Sequence, residues 1–147
     1  MNPVEIIRAF VKAHNAHDLE AMSKYLAEDS TMIDVASPIP LDSKADVLKL
    51  FSMIFAAIPD IQFEVTGMIS EGQKAFAALR TTGNGNGLWM GRDITGKRCD
   101  VFEGMFVDTQ NDQIKTCMFY SDTATLSRQL ADYEPALDMK ADTPNIM

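Results

Sequence analysis

The sequence is poor in histidine, cysteine and positive charge, and each shortage excludes a class of protein. Its 147 residues include two His and two Cys, too few cysteines for a disulfide framework. Thirteen Lys and Arg residues stand against 21 Asp and Glu residues, giving a net charge of -8. A surface of that sign repels phosphate, so nucleic acid and anionic membranes are excluded as partners.

Long uncharged apolar runs are also missing. The first apolar stretch, residues 1–13, is interrupted by Glu5, Arg8 and Lys12, which neither a signal peptide nor a membrane span tolerates. We therefore expect a soluble cytoplasmic protein.

What the sequence does contain is the composition of one globular domain, with 46% hydrophobic and 23% charged residues. Ten Met and eight Phe residues supply adaptable apolar side chains for a core or a pocket. We expect a domain over residues 1–131. Residues 132–147 have no clear period and form an acidic tail, expected to be a loosely held extension or an arm exchanged with a partner.

Apolar spacing predicts helices first and strands afterwards. Helical periods begin after Asn2, Asp18 and Ser43, and Pro59 ends the third helix. Alternating patterns then predict four strands, after one earlier strand over residues 30–35. The four cover residues 61–70, 74–82, 98–108 and 113–121, and a short helix over 125–130 follows. The fold class is α+β, with three N-terminal helices packed on one face of a curved, mostly antiparallel sheet that encloses a pocket.

The last two strands carry the most specific prediction. A turn centred between Gln110 and Asn111 places Glu103 opposite Met118. One face then holds Val101, Glu103, Met105 and Val107 with Ile114, Met118, Tyr120 and Asp122. The other holds Phe102, Gly104 and Phe106 with Cys117 and Phe119. Because both faces are largely apolar, we expect one to pack under the helices and the outer one to form a homodimer.

Two carboxylates fall among the apolar residues of the first face. Surroundings of this kind raise the pKa of a carboxyl group towards neutrality and make it a usable acid or base. Each residue also has a simpler interpretation, since Asp122 can cap the last helix and Glu103 can point into water from a strand edge.

Other candidate motifs are weaker. The run Gly91–Arg98 matches part of a phosphate loop but leads into a strand and has Arg98 in place of Ser or Thr. His14 and His17 straddle a helix break with no third ligand nearby, which favours surface roles over a metal site. The predicted register separates Cys99 and Cys117 onto opposite faces, so we expect two small buried thiols and no disulfide.

Four stretches in order carry a family resemblance: Asn15–Ala21, Ile58–Val65, Thr95–Arg98 and Tyr120–Leu126. Together they resemble the NTF2-like superfamily, and within it the SnoaL-like polyketide cyclase group. The resemblance implies a cone of helices wrapped by a curved sheet around a deep pocket. It also implies a ring closure without cofactor or metal, in which Asp122 is the acid and base.

A second branch of the same superfamily, the ketosteroid isomerases, is similar over Ala27–Asp34. That resemblance implies a proton-shuttling base at Asp34 and a protonated acid donor near Glu103.

The function expected from the sequence is acid/base catalysis, without cofactor or metal, on a small hydrophobic carbonyl compound. Asp122 is the acid and base, Asp34 a second base or orienting group, and Glu103 or Tyr120 the donor to the developing oxyanion. The residues expected to bind the substrate are Tyr25, Met32, Phe55, Arg80, Trp89, Met105 and Met118. The alternative is a non-catalytic module for small-molecule binding or dimerisation.

Overall fold

The structure, a computed structural model, describes residues 1–131; the predicted acidic tail, 132–147, lies outside the described residues. The helices are α1 (Pro3–Asn15), α2 (Leu19–Ser23), α3 (Lys44–Ala57) and α4 (Thr123–Ala131). The strands are β1 (Leu26–Asp34), β2 (Ser37–Leu41), β3 (Gln62–Glu71), β4 (Lys74–Asn84), β5 (Leu88–Trp89), β6 (Arg92–Asp93), β7 (Arg98–Gln110) and β8 (Gln113–Ser121).

Side-chain caps begin the helices where the sequence predicts them. The Asn2 side chain accepts a hydrogen bond from the Glu5 amide at 2.9 Å, and the Glu5 carboxylate accepts one from the Asn2 amide at 2.9 Å. Ser43 caps α3 in the same position, with its hydroxyl accepting from the Asp46 amide.

The helix count differs from the prediction. Asp18 caps α2 as expected, but the helix ends at Ser23 after five residues, and Leu26 already begins β1. The described residues thus contain two long N-terminal helices, one short turn of helix between them and α4 at the end, so the prediction of three N-terminal helices is not confirmed.

Six strands form one sheet in the order β2-β1-β8-β7-β4-β3, and β5 pairs with β6 in a separate ribbon. Every pairing is antiparallel except that of β1 with β8, so a mostly antiparallel α+β fold is confirmed. The strand β2, which was not predicted from the sequence, lies at one edge of the sheet, and its Ser37 pairs with Asp34.

The predicted register of the last hairpin is wrong, and one extra residue is the reason. Asn111 and Asp112 turn with φ of 53° and 62°, as a two-residue hairpin requires, and Gln110 pairs with Gln113. A bulge then leaves Lys115 without an opposite residue, because Thr109 pairs with Ile114 and Asp108 with Thr116. From there on every side chain of β8 points to the face opposite the predicted one.

In the corrected register, four residues of β8 lie on the opposite face of the sheet from the one predicted. Cys117 and Phe119 lie on the inner face with Val107 and Met105, while Met118 and Tyr120 lie on the outer face with Phe106 and Gly104. Cys99 and Cys117 are both buried and both free, on the same face of the sheet and not on opposite faces. Burial raises the pKa of each thiol.

The core lies between the inner face of the sheet and helices α1, α2 and α3. Phe10, Met22, Leu79 and Met105 are among its fully buried side chains, and burial of each stabilises the fold by roughly 1.5–3 kcal/mol. A smaller cluster around Ile94 joins the end of α3 to α4. No helix within residues 1–131 is long and apolar enough to cross a membrane.

Candidate active site

A cavity of about 320 Å³ opens between α3, the junction of β1 with β2, and the inner face of β7 and β8. We call it the inner cavity. Its volume lies at the lower end of the roughly 300–1,000 Å³ typical of small-molecule sites. Its apolar walls include Met32, Leu50, Phe51, Met53, Ile54, Ile61, Phe63, Trp89 and Phe119. Its polar members are His14, Asp34, Ser37, Glu103 and Ser121.

Glu103 is the carboxylate that the sheet itself carries to this cavity. It is half-buried on the inner face of β7, where the bulge in β8 places Ser121 directly opposite. The Ser121 hydroxyl donates a hydrogen bond to Oε2 of Glu103. One carboxyl oxygen is therefore held by the protein, which fixes the orientation of the group at the cavity wall.

Asp34 is the second carboxylate of the cavity and lies at its rim. It ends β1 beside an irregularity in the pairing with β2, and its Oδ1 accepts a hydrogen bond from the Ala36 amide at 2.9 Å. The side chain is exposed to solvent. Asp34 and Glu103 thus line the same cavity, with Glu103 half-buried and Asp34 exposed.

His14 is a cavity residue that sequence reasoning missed. It lies in the last turn of α1 and is fully buried, so the predicted surface role is wrong. Its ring stacks on Phe63 with centroids 3.7 Å apart and planes 6° apart. Because Ile7, Val11 and His14 follow one another at helical spacing on the apolar side of α1, this period was the signal that could have placed it in the core.

Burial also sets the protonation of His14. Removal of the ring from water lowers its pKa from 6.5 to about 4, against a smaller opposing effect from its hydrogen bond with Asn15. The imidazole is therefore neutral at pH 7.

Asp122 does not lie in an apolar pocket, and the prediction of a raised pKa is wrong. The residue is exposed, its Oδ1 accepts a hydrogen bond from the Thr125 amide at 3.0 Å, and its Oδ2 accepts one from the Thr125 hydroxyl at 2.7 Å. These bonds lower the pKa of Asp122. The interpretation as the cap of α4 is the one that matches this geometry.

The register of the β7–β8 hairpin explains why Tyr120 and Met118, two further predicted site residues, do not line the inner cavity. Tyr120 and Met118 are on the outer face of the sheet, where the Tyr120 hydroxyl lies 3.9 Å from the Met118 sulfur. The corrected register therefore takes both away from the inner cavity.

The remaining predicted ligand contacts divide between the cavity and other places. Met32 and Trp89 line the inner cavity. Arg80 is paired with Phe102 on the outer face and binds Asp100 through two hydrogen bonds of 2.8 and 2.6 Å.

Tyr25, Phe55 and Met105 belong to the core and its borders. Met105 is fully buried, Tyr25 packs against the core from its edge, and Phe55 stacks on His17 with centroids 4.2 Å apart.

Metal ligation has no candidate in this part of the chain. No three of the His, Cys, Asp and Glu side chains among residues 1–131 are grouped so that they could hold a metal ion.

The chain belongs to the SnoaL-like polyketide cyclase family, whose model matches residues 4–130. Among curated proteins, no relative matches it.

Solved structures show the same fold. IdmH of Streptomyces antibioticus, described as a candidate polyketide cyclase, is 21% identical, with a TM-score of 0.78 over 88% of this chain and 99% of that one. A protein of Catenulispora acidiphila with a ketosteroid isomerase-like fold, solved with trimethylamine, is 18% identical, with a TM-score of 0.75 over 92% and 100%. An NTF2-like protein of unknown function from Burkholderia pseudomallei is 14% identical, with a TM-score of 0.75 over 89% and 98%.

Proposed function

We propose that this protein binds a small hydrophobic carbonyl compound in the inner cavity and catalyses proton transfer on it with carboxyl groups alone. Asp34 removes a proton from the carbon next to the carbonyl group. Glu103 donates a hydrogen bond to the carbonyl oxygen as charge develops there. The observation that carries the proposal is that two carboxyl groups share one largely apolar cavity, as in known sites of this chemistry.

The geometry favours these two residues over Asp122 for a physical reason. Asp122 uses both of its oxygens to cap α4 and faces water. Glu103 has one oxygen held by Ser121, and its other oxygen has no such bond among the described residues. A positioned carboxyl group beside apolar walls is the arrangement that acid/base catalysis uses.

The volume of the inner cavity limits the size of the substrate. At the packing density of about 0.74 that protein interiors reach, a molecule of roughly 240 Å³ would fill 320 Å³. We therefore propose a substrate with about three fused rings, or with two fused rings and several substituents.

The test is solvent-deuterium incorporation into 2-tetralone, a ketone of two fused rings, followed by mass spectrometry. We expect exchange above the buffer rate, and a loss of about 10²–10⁴-fold in Glu103→Leu, which removes the hydrogen-bond donor, and in Asp34→Asn, which removes the base. Asp122→Asn is the matched carboxylate control and is expected to exchange at the unaltered rate. Exchange that survives both cavity variants, or that disappears only in Asp122→Asn, would contradict the assignment.

The alternative is binding without catalysis. It predicts that 2-tetralone binds while deuterium incorporation stays at the buffer rate, so the same samples separate the two functions. Fold membership alone decides nothing here, since one fold hosts many functions.

We further propose that the outer face of the sheet forms a homodimer. Phe102 and Tyr120 expose 67% and 44% of their surface there, beside the half-buried Phe76 and Phe106. Contiguous exposed apolar side chains of this kind are typical of an interface.

Sedimentation velocity tests the dimer. We expect a dimer for the unaltered protein and a monomer for Phe102→Lys, because a charge at the centre of an apolar interface is costly to bury. Ala56→Lys, which adds the same charge at an exposed position of α3, should remain dimeric. A monomeric unaltered protein would contradict the proposal.

A further inference from the structure

We propose that His14 is the polar anchor of the inner cavity and that its Nε2 accepts a hydrogen bond from a hydroxyl group of the bound molecule. The inference rests on the proposed function in one respect, namely that the inner cavity binds a small hydrophobic molecule. It adds a further binding residue and a chemical class, a neutral hydrophobic compound that carries a hydroxyl group.

The first step is the tautomer of His14, which Asn15 determines. The Asn15 amide nitrogen donates to the Phe63 carbonyl at 2.8 Å, and its Oδ1 accepts from the Phe63 amide at 2.8 Å. The backbone of Phe63 thereby fixes which end of the Asn15 side chain is oxygen. Nδ1 of His14 lies 3.0 Å from that same oxygen, which only accepts, so Nδ1 carries the proton and Nε2 carries a lone pair.

The second step is that this lone pair has no partner. His14 is fully buried and lines the inner cavity, and Nε2 has no hydrogen-bond partner among the described residues. Buried polar atoms are nearly always hydrogen-bonded, and leaving one without a bond is destabilising. An unpaired acceptor in a residue of the cavity wall therefore points to a ligand that donates.

The third step is that the ring is held in place. Its Nδ1 is hydrogen-bonded to Asn15, and its face stacks on Phe63. The rings of Phe51 and Phe55 pack edge-on against it, with centroids 5.6 and 5.3 Å away. A side chain fixed on this many sides keeps its acceptor in one direction, which is what a site needs for specificity.

The charge of the site defines the class of ligand. Burial keeps the imidazole neutral at pH 7, since the pKa is lowered to about 4, so it offers an acceptor and no positive charge to an anion. The carboxylate of Asp34 lies at the rim of the same cavity and disfavours anionic ligands further. A neutral compound with an alcohol, enol or phenol hydroxyl satisfies Nε2 without charge repulsion.

The experiment compares 2-naphthol with 2-methylnaphthalene, two probes of the same shape that differ in one hydroxyl group. Affinities are measured by fluorescence titration for the unaltered protein and for His14→Phe, which keeps an aromatic ring against Phe63. Two-dimensional NMR of the ¹⁵N-labelled imidazole reports on Nε2 in the unaltered protein, so the test does not depend on the variant folding.

We expect the hydrogen bond to Nε2 to strengthen the binding of 2-naphthol about five- to tenfold. The ratio of the affinity for 2-naphthol to the affinity for 2-methylnaphthalene should therefore be about five- to tenfold lower in His14→Phe than in the unaltered protein. The Nε2 resonance should move from the position of an unprotonated nitrogen towards that of a hydrogen-bonded one with 2-naphthol, and stay unmoved with 2-methylnaphthalene.

Two results would overturn the inference, and they are distinguishable. Binding of both probes with an unchanged affinity ratio and an unmoved Nε2 resonance would overturn the role of His14 and leave the cavity as a binding site. Binding of neither probe would overturn both the role of His14 and the proposed function.

Discussion

The burial of His14 predicts a loss of stability at mildly acidic pH. The pKa of the ring is 6.5 when it is exposed and about 4 in the folded protein, so the unfolded chain binds a proton more readily than the folded one. A base with a depressed pKa contributes stability that is present above 6.5 and is lost as the pH falls towards 4. Between pH 7.5 and pH 5.0 this linkage removes about 2 kcal/mol from the free energy of unfolding.

The pH window separates His14 from the carboxylates. Hydrogen bonds or ion pairs lower the pKa of Asp29, Asp60, Asp93, Asp100 and Asp122 below 3.8. Their contribution to stability is therefore lost below that value, outside the range from 7.5 to 5.0.

Urea unfolding followed by the fluorescence of Trp89 measures the effect at five pH values. The unaltered protein should lose about 2 kcal/mol across the range, while His14→Phe should show almost no dependence. His17→Asn is the control, because it removes the other histidine of the chain and keeps a residue that tolerates a φ of 53°. It should behave like the unaltered protein. A flat profile for the unaltered protein, or an unchanged slope in His14→Phe, would refute the argument.

Two further predictions concern stability. Asp122→Ala should lower the free energy of unfolding by about 1 kcal/mol, because it removes the cap of α4; urea denaturation measures this loss. Deuterium exchange into 2-tetralone should stay unchanged in the same variant. A variant that keeps its full stability but loses exchange would instead return Asp122 to the mechanism. Gly85→Ala should cost about 1–3 kcal/mol, because an added Cβ would lie 2.0 Å from the backbone oxygen of Ile94; the midpoint of thermal unfolding checks this, and an unchanged midpoint would contradict it.

Local rules predicted much of the fold. The caps at Asn2, Asp18 and Ser43 are confirmed because they depend on residues only three positions apart. The alternation along β7 is confirmed as well, with Glu103 and Met105 on the inner face.

The sequence pattern could not predict on which face of the sheet each residue of β8 lies. A single extra residue, Lys115, reverses the side of every residue after it. It removed Tyr120 and Met118 from the predicted site and brought in Ser121 and Phe119.

The site itself was only half predictable for a related reason. Asp34 and Glu103 were found through apolar neighbours and the family resemblance, and both line the inner cavity. His14 was missed because a histidine near a helix end is usually exposed, and the contacts that bury it come from Phe51 and Phe63, far away in the sequence. Tertiary packing, not local pattern, decides such a residue.

The central claim is that the inner cavity is where a ligand binds, and methionine methyl groups test it most directly. Met32 and Met53 line the cavity, whereas Met118 lies on the outer face and Met22 in the core. With ¹³C-methyl-labelled methionine and added 2-naphthol, we predict that the resonances of Met32 and Met53 shift and that those of Met118 and Met22 do not. Shifts at Met118 with Met32 and Met53 unmoved would place binding on the outer face and contradict the account.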